Sequence, residues 1–251
     1  MKLYHKQDNT TLIHGDCLEV MNKLISKNIQ VDTIITSPPY NLGGDFHTFV
    51  NGKRVTYGDY NKFKDKMPEE EYQDWQIEFL NTCYEILKED KFMFYNHKNR
   101  IVKGSIISPL DWINKTKWNV SQIVILNLKS TANVDKRRFF PVYELLFVLN
   151  KNIKSVLNNH QCFTDVWEMK KTSRKITGHP ATFHIDLPTR CIEASTQEGD
   201  LVLDPFVGTG TTLVASDNLN RKSMGIELDE KYCEITKNEI LKASDTNVFS
   251  G

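Results

Sequence analysis

The sequence predicts an α/β fold, and three stretches carry that prediction. Leu201-Val202-Leu203-Asp204 is an apolar run that breaks into the turn Pro205-Phe206-Val207-Gly208-Thr209-Gly210. Helical spacing follows it at Leu213, Val214 and Leu219. Ser223-Met224-Gly225-Ile226-Glu227 reads as the next strand and ends on a carboxylate 17 positions after Gly210. Val31–Thr36 is another strand, and it runs directly into Ser37-Pro38-Pro39-Tyr40. Strands that alternate with helical patterns are the signature of βαβ units.

In chain order, Thr11–His14 reads as a short strand. A helix follows with Leu18, Met21, Leu24 and Ile25 on one face, and Asp16 with Glu19 fits its N-terminal cap. Residues 41–67 are polar and hold four glycines, a connection long enough to be functional or mobile. Pro68 opens a helix with three glutamates in its first turn, which suits the helix dipole. Its stripe of Tyr72, Trp75, Phe79, Cys83, Ile86 and Leu87 reads as core. Lys91–Asn96, Val120–Leu128 and Val142–Asn150 read as strands, Leu110–Trp118 as part of a helix. Helices are predicted through Leu187–Ala194 and over Glu230–Ala243, the latter with Asp229 as cap. Residues 151–177, with Phe163 and Trp167 and no clear period, are the best candidate for an inserted recognition element. Ser244–Gly251 reads as a frayed tail.

Composition narrows the function classes. The 251 residues suit one large domain, and no apolar run approaches the roughly 18 residues of a membrane span. Five scattered cysteines without a C-x-x-C pair point to a reducing compartment and away from structural zinc. Lysine plus arginine equals aspartate plus glutamate at 32 each, so the whole chain has no basic excess. Basic residues cluster locally, at Lys129 with Lys136-Arg137-Arg138 and across residues 151–178, where they can supply phosphate contacts or simply be solvated.

The two loops carry the chemistry. A glycine turn before a helix lets a ligand approach backbone closely and presents free N–H groups. A strand-end carboxylate such as Glu227 accepts hydrogen bonds from ribose hydroxyls in nucleotide-binding units. The G-x-G-x-x-G fingerprint is not met, because Thr211, Thr212 and Leu213 follow Gly210. In Ser37-Pro38-Pro39-Tyr40 the prolines remove two donors and fix two φ angles. A hydroxyl, an aimed carbonyl and an aromatic face then suit a planar ring bearing an amino group.

With these residues in place, the sequence resembles the amino-methyltransferases that modify exocyclic amino groups of DNA bases using S-adenosylmethionine, as found in restriction–modification systems. Asp204–Thr212 (DPFVGTGTT) resembles the family's cofactor loop and Thr36–Tyr40 (TSPPY) its catalytic motif. The order of the two is that of the circularly permuted β group. Further matches lie at Leu12–Cys17, Tyr143-Glu144, Gly178–Phe183 and Gly225–Glu227, so the resemblance runs from about residue 12 to 240. It implies a doubly wound, mostly parallel seven-stranded sheet with one antiparallel strand and a small recognition insert. It divides the chain into a catalytic half (1–150), the insert (151–177), a cofactor-binding half (178–243) and a tail (244–251).

Residue by residue, the resemblance implies that Ser37 and Pro38 accept the amino hydrogens and that Tyr40 stacks on the flipped base. Asp204, Pro205, Phe206, Gly208, Gly210, Thr211 and Thr212 surround the methionine part of S-adenosylmethionine. Glu227 binds the ribose, Asp16 and Cys17 lie near the adenine, and His179, Thr182 and Phe183 help close the pocket. No metal is implied. Serine before Pro-Pro-Tyr points to the N4 amino group of cytosine, with N6 of adenine as the alternative. The implied partners are double-stranded DNA with a specific recognition sequence, a second copy of the chain and a companion restriction endonuclease, in a prokaryotic cytoplasm. Two positions depart from the pattern: His184, where a proline is frequent, and Lys91, where a glycine is common. Two other classes remain open, a DNA-reading subunit without turnover and a nicotinamide-dependent oxidoreductase. Intact TSPPY argues against both.

Overall fold

The computed structural model describes residues 1–42, 46–50, 53–57, 66–129, 137–158, 163–169 and 184–248, with 46–50, 53–57 and 244–248 by their backbone alone. In chain order the strands are β1 (Lys2–Gln7), β2 (Thr10–His14), β3 (Val31–Thr36), β4 (Phe46–Val50), β5 (Lys53–Tyr57), β6 (Leu87–His97), β7 (Arg100–Val102), β8 (Ser105–Ile107), β9 (Asn119–Asn127), β10 (Tyr143–Asn150), β11 (Val166–Glu168), β12 (Leu201–Asp204) and β13 (Lys222–Glu227). The helices are α1 (Cys17–Ser26), α2 (Glu69–Ile86), α3 (Leu110–Ile113), α4 (Asp186–Ser195), α5 (Thr211–Asn218) and α6 (Glu230–Val248).

Nine of these strands form one sheet, in the order β1-β2-β13-β12-β3-β6-β10-β9-β11. The central seven, from β2 to β9, match the expected arrangement: β10 alone runs against the others. The seven-strand count itself is corrected, because each edge carries one strand more. At one edge β1 turns back antiparallel onto β2 through Asp8-Asn9, with Asp8 in the left-handed region that a tight turn needs. At the other edge β11 adds parallel to β9, pinned by buried Trp167. Helices cover both faces, and the strands alternate between them. Ile34, Met93, Tyr95, Leu145, Phe147 and Leu203 face α1 and α2, while Ile35, Phe92, Phe94, Leu146, Val148 and Val202 face α4.

Several elements differ from the sequence reading. The helix predicted from Leu110 stops at Ile113, because Thr116 Oγ1 takes the Ile113 carbonyl at 2.6 Å and Trp118 turns its indole N–H to the Leu80 carbonyl. Two strands, β4 and β5, for which the sequence reading has no element, pair within the long connection of residues 41–67. Helix α6 extends beyond Ala243 to Val248, into the stretch read as a tail. In the candidate insert, Trp167 is buried and Phe163 packs beside it, with the Arg190 guanidinium about equally close to both rings. These two aromatics hold the segment to the sheet. Among the described residues, no helix is long and apolar enough to cross a membrane.

Candidate active site

The parallel strands converge at their carboxyl ends on one edge, where a doubly wound sheet opens its ligand crevice. Ser37, Pro38 and Tyr40 follow β3, Asp204 ends β12, and Pro205–Gly210 lead into α5, whose first turn holds Thr211 and Thr212. Glu227 ends β13, and Asp16 and Cys17 start α1 just after β2. The structure therefore brings thirteen of the sixteen predicted site residues to one edge. The other three, His179, Thr182 and Phe183, lie outside the described residues.

Asp204 is buried and serves three donors: Thr36 Oγ1 at 3.0 Å, Thr212 Oγ1 at 2.6 Å and the Phe206 amide at 3.1 Å. Burial raises its pKa to about 6, against the lowering effect of these bonds. Beyond it the chain makes a glycine turn. Gly210 sits at φ 89°, and a Cβ there would come within 2.9 Å of Thr236 Cγ2, so glycine is required both for the backbone and for the space. Thr236 Oγ1 also donates to the Gly208 carbonyl at 2.6 Å, which ties the turn to α6.

The Glu227 carboxylate accepts the Gly208 amide at 3.0 Å on one oxygen and the Asp229 amide at 2.9 Å on the other. Burial lifts its pKa to about 7. The Leu228 amide adds a third backbone donor, and the carboxylate keeps acceptor capacity for a further one. Asp16 caps α1 by accepting the Glu19 amide at 3.0 Å. Cys17 is buried, and burial pushes its thiol far above the usual range, so it is no nucleophile. Phe206 packs against Phe79 and Trp75, with centroids 5.0 and 5.8 Å away, and together they form an aromatic wall beside the loop.

At the Ser37 end the hydroxyls form a chain. Ser37 Oγ lies 2.8 Å from Tyr40 Oη, which reaches Asn96 Oδ1 at 3.0 Å and Glu144 Oε2 at 3.3 Å. Burial, and then the Glu144 charge, hold the Tyr40 pKa well above its usual value, so it stays a phenol; burial also raises Glu144. His97 lies against the Tyr40 ring at a centroid distance of 4.4 Å.

Sequence reasoning missed the support beneath this loop. Tyr72, read as a plain core residue, donates to the Pro39 carbonyl at 2.7 Å. A directed series leads to it: Trp112 Nε1 to Tyr95 Oη, Tyr95 Oη to Gln76 Oε1, and Gln76 Nε2 to Tyr72 Oη. His97 Nε2 lies 2.8 Å from the same Tyr72 oxygen. Because the one Tyr72 proton serves Pro39, the imidazole supplies the proton of that contact and is the neutral Nε2–H tautomer. Its Nδ1 then accepts the Lys98 amide at 2.8 Å. Burial, aided by the Arg100 and Lys98 charges, pushes the His97 pKa down to about 3. Arg100, itself buried, stacks on Tyr72 at 4.6 Å and forms a two-pronged pair with Glu69 at 2.7 and 2.8 Å. The available signal was positional: Asn96-His97 sits at the carboxyl end of a parallel strand.

Comparison with known proteins agrees with this geometry. Residues 31–238 match the N6/N4 DNA methylase family model. The chain is 28% identical to the Type II methyltransferase M.BamHI of Bacillus amyloliquefaciens over 98% of its own length, and spans 60% of that protein. It is 27% identical to the Type II methyltransferase M2.DpnII of Streptococcus pneumoniae, covering 98% of this chain and 95% of that one. Among solved structures, the cytosine-N4-specific PvuII DNA methyltransferase superposes with a TM-score of 0.73 at 19% identity, over 94% of this chain and 88% of that one. The S-adenosylmethionine complex of M1.HpyAVI gives 0.64 at 21% identity, over 92% and 98%. The permuted order of the two loops, their meeting at Asp204 and the match over residues 31–238 lead to one conclusion: the chain belongs to the N6/N4 family of DNA methylases.

Proposed function

We propose that the chain transfers a methyl group from S-adenosylmethionine to the N4 amino group of a cytosine turned out of double-stranded DNA at a specific sequence. The observation that carries this reading is the chain Ser37–Tyr40–Asn96/Glu144, placed one residue from the Thr36–Asp204 link to the glycine loop. The residues fit the cofactor. The remaining acceptor capacity of the Glu227 carboxylate suits ribose hydroxyls, the glycine turn admits close approach, and the Phe206–Phe79–Trp75 wall gives an apolar flank. When bound, S-adenosylmethionine supplies an electrophilic methyl group on a sulfonium.

The chain's own residues do the positioning. The Tyr40 proton goes to Asn96 or Glu144, so in its contact with Ser37 the phenol accepts and Ser37 Oγ–H donates. Both Ser37 lone pairs are then free to accept from the base amino group, and the Pro38 carbonyl accepts its second hydrogen. Tyr40, backed by His97, stacks on the base. These bonds aim the nitrogen lone pair at the methyl carbon, a near-attack arrangement. The proton that the nitrogen sheds has a hydrogen-bonded route from Ser37 through Tyr40 to Glu144 Oε2.

The choice of cytosine rests on Ser37, a small hydroxyl in place of an acidic or amide side chain. The family spans both amino groups, so N6 of adenine is the second reading. Ser37→Ala tests the role of the loop: methyl transfer should fall about 100-fold while S-adenosylmethionine binding stays within about twofold. Unchanged turnover would refute the assignment.

A further inference from the structure

The strand that brings Glu144 to Tyr40 is entered through an exposed apolar segment that the proposed chemistry does not use. Phe139 is 99% exposed, and Phe140, Val142 and Tyr143 beside it are 51%, 37% and 43% exposed. Arg137 and Arg138, both exposed, directly precede them. Single exposed apolar side chains are ordinary, but a run of them joined to arginines at the mouth of a site marks a contact surface. β10 is antiparallel to β6, with Leu145 opposite His97, so the segment leaves the sheet at the edge where Ser37 and Tyr40 lie. The Val142 carbonyl accepts the Leu128 amide at 2.8 Å, which fixes the base of the segment. Phe139 stands five residues from Glu144, within roughly 18 Å of extended chain.

We propose that Phe139 is a wedge that enters the DNA duplex and fills the place of the extruded base, while Arg137 and Arg138 hold the flanking phosphates. This rests on the reading that the chain methylates a flipped base. The charge and chemistry of the segment favour duplex DNA as its occupant. Guanidinium groups match phosphates, and a phenyl ring supplies the flat apolar face that stacks between base pairs once one base has left. The duplex resists extrusion through lost pairing and stacking, and an inserted ring offsets the stacking part.

The target sequence is first mapped by methylating PCR-amplified DNA, and two oligonucleotide duplexes carrying it then serve as substrates. One is fully paired; the other has an abasic residue opposite the target base, so that the target base is unpaired and loosely stacked and its extrusion needs little help. Phe139→Ala should slow methyl transfer to the paired duplex about 10-fold or more and stay within about twofold of wild type on the abasic one. Phe139→Trp should restore the paired rate. Equal loss on both duplexes, or no loss on the paired one, overturns the wedge. A wild-type protein that methylates no DNA contradicts the methyltransferase reading, and the wedge falls with it.

Discussion

Thr36 and Asp204, 168 residues apart in the chain, meet at the ends of neighbouring strands, where Thr36 Oγ1 donates to Asp204 Oδ1 at 3.0 Å. Because Asp204 also takes the Thr212 hydroxyl and the Phe206 amide, one buried carboxylate joins the strand that carries Ser37 to the glycine loop and its helix. The two halves of the site are thus set against each other by a short, fully bonded contact. Burying that carboxylate has a cost, visible in its pKa of about 6.

Stability should depend on pH through this edge. Asp204 and Glu227 both have folded-state values, about 6 and about 7, above their ordinary 3.8 and 4.5. The folded protein therefore binds these protons more tightly than the unfolded chain. The resulting stability is full below about pH 4 and is lost as pH rises through about 7. Glu227→Gln isolates one group: relative to wild type, the variant should gain on the order of 2 kcal/mol between pH 5 and 8 in urea unfolding. A difference that does not change with pH would contradict the burial argument.

Cofactor binding should respond in the opposite direction. An ionised Glu227 can still accept from a ribose hydroxyl, whereas a protonated one loses acceptor capacity. Calorimetric titration with S-adenosylmethionine should show affinity rising as pH passes through about 7. Glu227→Ala should weaken binding by roughly 10- to 100-fold, as expected for losing hydrogen bonds to a charged group. Equal affinity for the variant and wild type would remove Glu227 from the site.

Gly210→Ala should destabilise the fold and disturb the loop together. Its φ of 89° costs an L-residue about 1–2 kcal/mol, and the added methyl group meets Thr236 Cγ2 at 2.9 Å. Gly104 is the control, with φ 86° and nothing within 4 Å of an added Cβ. Gly104→Ala should cost only the backbone part and leave S-adenosylmethionine binding intact. Equal costs and equal binding for the two variants would contradict the packing argument.

Tyr72→Phe removes the donor that holds the Pro39 carbonyl and leaves His97 and Gln76 without an acceptor. Unfolding free energy should fall by about 1–3 kcal/mol. At a temperature where the variant remains folded, kcat should drop about 10-fold with S-adenosylmethionine affinity unchanged. A normal kcat would reduce Tyr72 to a packing residue.

What the sequence made legible was local. Periodicity placed β3, β12 and β13, and the Asp16 cap and the Pro-Pro break marked where elements begin and end, because each depends on residues a few positions apart. The support under the Pro-Pro-Tyr loop was not legible. Tyr72 sits at core spacing on α2, and nothing nearby in sequence tells that its hydroxyl meets Pro39 from the next layer. Lys91 likewise had no local explanation. In the fold it lies inside β6, with its ammonium 3.1 Å from Asp200 and 3.5 Å from Asp32, so the lysine adds a charged tie to two strand ends that the Leu201 amide already joins through Asp32. Both edge strands escaped the seven-strand expectation, since short edge pairings depend on contacts distant in sequence, such as Val166 with Ile125.

The decisive measurement is mass spectrometry of nucleosides from unmethylated DNA incubated with the purified protein and S-adenosylmethionine. The expected product is N4-methylcytosine, which joins the amino-directed chemistry to Ser37. N6-methyladenine would keep the fold and the loop geometry but contradict the base assigned to Ser37. No methylated nucleoside, with S-adenosylmethionine binding demonstrated, would contradict methyl transfer to DNA.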